Sequence, residues 1–269
     1  MTATRRGPER AALRPRLQRD AGLVRILALR ELKLRYRENV LDIAWALITP
    51  VAIMAVYGVV LTQSFDAESQ CAPYLSSAWT GLVVWTFFAT ALGTASWSML
   101  TASDLIGKVY FPREVLPLAS VGATLLDLGV GLVTIVAVVL VQQVHLSAVA
   151  LTALPSLAVL VVWTAALCIF SSAAAVFLRD ITQGVQLFLR VGFFATPVMY
   201  EPSLLPDALA WTASVNPLAV VIGGLRDPVL CGQQPDWAVL AAQFAVGTTL
   251  LALAVLYVRS VESRMTDVL

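Results

Sequence analysis

Residues Ala102–Glu114 read ASDLIGKVYFPRE, and they hold the only charged cluster between two long apolar stretches, 75–99 and 116–141. Each flanking stretch is long enough to cross a bilayer, which takes about 20 predominantly apolar residues. A short charged segment between two such stretches is a tight turn at one membrane face. Asp104 is placed to cap a short helix running to Lys108. Phe111-Pro112 ends that helix, because the residue before proline avoids the helical region. Tyr110 and Phe111 give apolar anchors beside Lys108, Arg113 and Glu114. Aromatic and arginine side chains together suit a protein–protein contact. The same residues also suit a plain turn that serves only to place positive charge.

Working outward, the composition agrees with a membrane setting. Of 269 residues, 59% are apolar and 13% charged, and the mean hydropathy is +0.81. A soluble domain carries about 25% charged residues, so too little polarity is present here to solvate a globular surface. The chain reads as a polytopic all-α membrane protein. No signal peptide is expected, since the basic N-terminus meets an apolar run only near Leu41, with no small-residue cleavage site before it.

Six stretches are candidate spans: 43–63, 75–99, 116–141, 148–178, 184–200 and 237–258. The fourth contains Pro155 and is expected to bend or tilt. Lys and Arg concentrate in cytoplasmic segments, and six spans with both termini inside put seventeen of the eighteen in the inner segments or in the fifth-span region that opens from that face. Eleven precede the first span; the others are Lys108, Arg113, Arg179, Arg190, Arg259 and Arg264. The opposite face keeps only Arg226, against Asp66, Glu68, Glu201, Asp207, Asp227 and Asp236.

Residues 1–19 read as a disordered basic tail, and 20–269 as one six-span domain. Within 20–38, Leu23, Ile26, Leu27 and Leu34 follow helical spacing while Arg25, Lys33, Arg35 and Arg37 supply cationic flanks; Arg30 falls on the apolar side, and Glu31–Arg37, with Tyr36, alternates like a strand. That pattern fits an interfacial helix on the inner leaflet, and also an ordinary positive-inside flank. Trp45 opens the first span and Pro50 bends it. The stretch 201–236 is too apolar for a simple outer loop. It reads as two short helices, 204–213 and 217–225, with Asn216 as N-cap and Pro217 at the first helical position. Neither is long enough to cross alone, so a re-entrant outer hairpin before the last span is expected.

Two charges fall inside apolar stretches. Asp127 lies about 16 Å along the third span and Arg190 about 15 Å along the fifth, both counted from the inner face at 1.5 Å per residue. Buried membrane charges face the protein interior and invite a partner. Either the two pair with each other, or Arg190 faces a substrate cavity. Phe188, Phe193, Phe194 and Tyr200 on the fifth span suit stacking on sugar rings, and equally suit lipid-facing packing. Cys71 and Cys231 both fall on the outer side, where disulfides persist, and the sequence leaves open a bridge within a chain, one between chains, or none; Cys168 lies inside the fourth span. His145 is the chain's one histidine and sits in an outer loop. No metal-ligand cluster, acidic pair or nucleophile–base set emerges to run catalysis.

Several segments resemble one family. Arg30-Glu31-Leu32-Lys33-Leu34-Arg35-Tyr36 with Trp45-Ala46 and Pro50 is similar to the entry to the first span in permeases of type-2 ABC exporters, in the branch exporting polysaccharide, O-antigen and teichoic acid. Leu105–Glu114 resembles that family's coupling segment, and Arg179-Asp180-Ile181, Thr196-Pro197-Val198-Met199-Tyr200 and Asn216-Pro217-Leu218 match three further positions in order. The resemblance covers roughly residues 22–260. It implies a homodimer with a channel at the dimer axis, and one separate ATPase subunit per protomer that docks on 102–114 and carries ATP and Mg. It also implies a lipid-linked glycan substrate, an outer hairpin that gates the exit, and a place in the cytoplasmic (inner) membrane. No cofactor on this chain and no nucleic-acid partner are expected. A phosphate-cradling loop needs G-x-x-x-x-G-K-[ST], and here Ala102 stands where the first glycine would be and Val109 follows Lys108. The rival reading is an ion-coupled secondary transporter or channel, which usually carries repeated halves or several buried titratable groups.

Overall fold

The computed structural model describes residues 22–24, 26–30, 73–103, 111–144, 147–200, 213 and 215–268. The basic tail 1–19, the candidate span 43–63, Lys33, Arg35, Tyr36, Arg37, Cys71, Asp104, Lys108, Tyr110, His145 and hairpin residues 204–212 lie outside that set. Every regular element among the described residues is helical. This follows from the sequence's apolarity, because lipid offers backbone groups no partner and a helix satisfies them internally.

The helices are α1 (Tyr74–Thr101), α2 (Val115–Val141), α3 (Leu154–Phe177), α4 (Asp180–Ala195), α5 (Pro217–Arg226) and α6 (Trp237–Val268). A 3-10 turn, Ala148–Ala153, leads into α3, and a π turn, Asp227–Cys231, follows α5. Residues 22–24 and 26–30 are also helical. Among the described residues, four units are long and apolar enough to cross a membrane: α1, α2, Ala148–Phe177 and α6.

Two helices make up the centre of the bundle: α3 packs against all five others, and α1 against α2, α3, α4 and α5. The most apolar window of α1 is 72% buried, against 22% for α2 and 17% for α6, which leave broad apolar faces outward. The packing is close because the residues are small. Ser171, Ser172, Ala173 and Ala175 are all buried on α3, and Ala173 belongs to the cluster formed with Met99, Leu116, Ala254 and Val258. Buried hydroxyls bond back within their own helices: Thr80 to the Ser76 carbonyl, Thr124 to Ser120 and Thr164 to Leu160. That device satisfies a polar group in lipid without a partner helix. Between helices, Trp79 Nε1 donates to Thr134 Oγ1 at 2.9 Å, and Trp163 Nε1 donates to the Gln243 carbonyl at 2.9 Å.

Two expected bounds change. Pro155 lies at the first turn of α3, directly after the 3-10 turn, where its missing N–H is no loss. The helix in the fifth candidate stretch is Asp180–Ala195 rather than 184–200, sixteen residues instead of seventeen and shifted toward Arg179. Thr196–Tyr200 forms a bend in which Thr196, Val198 and Met199 are buried. The last helix runs on to Val268, ten residues beyond its expected end at 258.

Candidate functional site

The bundle has two ends. The charged end gathers the end of α1, the start of α2, the α3–α4 corner and the end of α6. The far end gathers α5, the 196–200 bend and the starts of α1 and α6.

At the charged end Ala102, Ser103 and the last four residues of the 102–114 segment are described, and 111–114 form a turn into α2. Phe111 packs with Ala102, Leu118 and Val261 around the Met99–Leu116–Met265 cluster. Arg113 is only 8% exposed. Its Nε lies 3.7 Å from Glu262 Oε1. Glu114 Oε1 accepts from Arg259 Nη2 at 2.9 Å and Nε at 3.2 Å. The sequence expectation groups Arg113 and Glu114 with the coupling segment, and here both pair within the chain. Both are turned onto α6, because Arg259 and Glu262, three residues apart, offer complementary charges on one side of that helix.

The Asp127–Arg190 pair is not formed. Among the described residues the ion pairs are Arg113–Glu262 and Arg259–Glu114. Depth along the bundle matched, but direction around it did not. α1 packs against both α2 and α4 and stands between them, which keeps Asp127 on α2 from Arg190 on α4. Asp127 is half-buried and has contacts of its own.

Arg190 is exposed, and Phe194, four residues on, is 62% exposed on the same face, with Leu187 at 63% beside them. The other aromatic candidates divide. Phe193 turns inward and meets Trp85 edge-on at 5.7 Å. Phe188 stands 52% exposed with its edge toward Phe88. Tyr200 donates its hydroxyl to the Phe194 carbonyl at 3.1 Å.

At the far end, Asn216 caps α5 as its position before Pro217 predicts. Its side chain accepts from the Leu218 N–H at 3.0 Å and donates to Thr196 Oγ1 at 3.0 Å. Arg226, at the end of α5, is 6% exposed. Its Nε donates to the Ser77 carbonyl at 2.9 Å and its Nη1 to Pro197 and Tyr200 at 3.1 and 3.2 Å. Nη2 donates to Val198 at 2.5 Å. One side chain thus joins α5, the 196–200 bend and the start of α1. Gly81 makes room for it, since a Cβ there would overlap the Val198 carbonyl and press on Nη2 of Arg226. Sequence reading passed over Arg226 as a stray outer charge. The signal was available, because a lone cation beside an apolar helix at the wrong face is costly unless bound.

Cys231, ending the π turn, is disulfide-bonded, whereas Cys168 is a buried free thiol.

Comparison with known proteins adds a second line of observation. The family described as ABC-2 type transporter matches residues 22–230. A Klebsiella pneumoniae protein named O-antigen export system permease protein RfbA is 27% identical over 211 residues, covering 78% of this chain and 81% of the relative. A Myxococcus xanthus protein of the same name is 29% identical over 234 residues, covering 86% and 88%.

Proposed function

The chain belongs to the ABC-2 type transporter family, and from that premise we propose that it is the permease subunit of an ATP-driven exporter of lipid-linked O-antigen, teichoic acid or a similar cell-surface glycan. The observation that carries this reading is the match to a permease of O-antigen export across 88% of that relative's length. The family match does not favour an ion-coupled transporter or channel.

In this reading the protein is a multi-pass inner-membrane protein with six spans and cytoplasmic termini, so the charged end of the bundle faces the cytoplasm. Two copies form a channel, and each binds a separate ATPase subunit that holds ATP and Mg. The ATPase docks on 102–114, assisted by an interfacial helix over 20–38. Arg190, Phe188 and Phe194 on the exposed side of α4 face the glycan path, where a guanidinium suits the pyrophosphate of a lipid carrier and aromatic faces suit sugar rings. Tyr200 and Phe193 hold the wall behind that path. The hairpin between α4 and α6 closes the exit. With Cys168 free, the bridge of Cys231 runs to Cys71 and ties the first outer loop to that hairpin.

The test is reconstitution of the purified permease with its ATPase partner in liposomes, reading ATP hydrolysis and glycan translocation. The permease alone is expected to hydrolyse nothing, and the pair to couple hydrolysis to export. Hydrolysis by the isolated chain overturns the reading. Arg190→Gln is expected to lower export while leaving protein yield unchanged; full export by that variant removes Arg190 from the path.

A further inference from the structure

The length of α6 is unexplained by membrane crossing. Its 32 residues extend about 48 Å at 1.5 Å per residue, whereas the hydrocarbon core is about 30 Å thick. Counted from Trp237, the span is complete near Tyr257, and the rest of the helix overhangs at the charged end. An idle overhang would be polar all round. This one is not. Val258 and Met265 are 1% and 0% exposed, and Val261 packs between them on the same side of the helix. That stripe rests on Met99 at the end of α1, on Phe111, and on Leu116 at the start of α2.

The charges beside the stripe are crossed. Consecutive turn residues, Arg113 positive and Glu114 negative, meet Glu262 negative and Arg259 positive. Turning α6 by one residue, roughly 100°, would break both pairs together. The arrangement therefore sets the register of the overhang against the turn. Neither loop residue has much surface left for another protein, the side chains of Arg113 and Glu114 being 9% and 12% exposed. Further along, α6 packs on α3 and reaches α5. There Gln243 Nε2 donates to the Val215 carbonyl at 3.1 Å, next to the Asn216 cap. A single helix thus touches the 111–114 turn at one end and the hairpin helix at the other.

We propose that the 258–268 overhang of α6 is a strut that braces the 111–114 turn and carries its displacement to α5, with Arg259 and Glu262 as positioning residues acting through Glu114 and Arg113. This rests on the reading that 102–114 docks an ATPase. A loop held only by its own two helix ends yields when pushed. A loop clamped to a third helix moves that helix instead. Coupling between distant sites needs such a contiguous packed element, and it needs a direct test.

The test uses the complex of the full-length permease with its ATPase, and reads amide hydrogen exchange at 217–226 with and without MgATP. In the wild-type complex MgATP is expected to change exchange there. Arg259→Glu faces Glu114 with a like charge at a site 62% exposed, so folding survives. It is expected to keep the ATPase bound but to shrink the MgATP-dependent change about fivefold, the scale of one exposed pair. Glu114→Arg combined with Arg259→Glu is expected to restore it. An undiminished response in Arg259→Glu, a swap that fails to rescue, or no response in the wild type overturns the strut. The docking reading is tested apart, by ATPase copurification with Lys108→Glu and Tyr110→Ala. Loss of the ATPase supports docking at 102–114, and undiminished binding by both removes it whatever the swap shows.

Discussion

The two ends of the bundle hold their chains together by opposite means. At the charged end, two ion pairs join the turn before α2 to α6, and one partner, Arg259, is mostly exposed. At the far end, a buried guanidinium binds four backbone carbonyls from two segments. The difference is a matter of solvent. Exposed ion pairs contribute about 0.2–1 kcal/mol each, because water competes and side-chain entropy is lost. Buried groups have no such alternative, and an orphaned carbonyl costs about 1–3 kcal/mol. The Arg226 contact is therefore expected to outweigh the exposed Arg259–Glu114 pair, while Arg113 beside that pair is nearly as buried as Arg226.

This contrast is open to attack from its strong side first. Arg226→Ala would leave the Ser77, Pro197, Val198 and Tyr200 carbonyls without their donor. A loss of about 3–5 kcal/mol is expected, as for removal of one member of a buried charged contact. Thermal unfolding in detergent should show a large drop, and Arg226→Lys should recover only part of it, since an ammonium lacks the planar fork. A variant as stable as wild type would break the comparison outright. Next comes Gly81→Val, whose side chain would strike the Val198 carbonyl; overpacking of about 1–3 kcal/mol is expected by the same measurement. Asn216→Ala removes the α5 cap and the bond to Thr196. About 1 kcal/mol is expected, along with faster hydrogen exchange at Leu218 and Ala219. The smallest effect belongs to the charged end. Arg259→Ala should change stability by less than about 1 kcal/mol, and by still less at high salt, where surface charges are screened. A loss there as large as that of Arg226→Ala would equalise the ends and remove the distinction.

The legibility of these features in the sequence follows the range of the interaction. Asn216-Pro217 announced its helix because a cap and an N1 proline act over three residues. Helix positions 74–101 and 115–141 fell within two residues of their expected bounds, since hydrophobic run length is a local property. The Asp127–Arg190 pairing failed because depth is readable from residue counts, whereas direction around the bundle depends on which helix stands between. Arg113 and Glu114 were legible as a charged turn but not in their orientation. Their partners lie 149 and 145 positions away in the chain.

By itself the sequence determined that this is an all-α membrane protein of the ABC-2 type transporter family, with a charged turn between two spans and a capped short helix before the last. Lipid makes that reading possible, because it allows an apolar run of sufficient length one solution, the helix. Only the tertiary structure decided that α1 and α3 lie at the centre, that the end of α6 pairs with the turn before α2, and that Arg226 and Gly81 form one contact. These depend on which helix faces meet, and an apolar helix in lipid carries little polar patterning to say which side is inward.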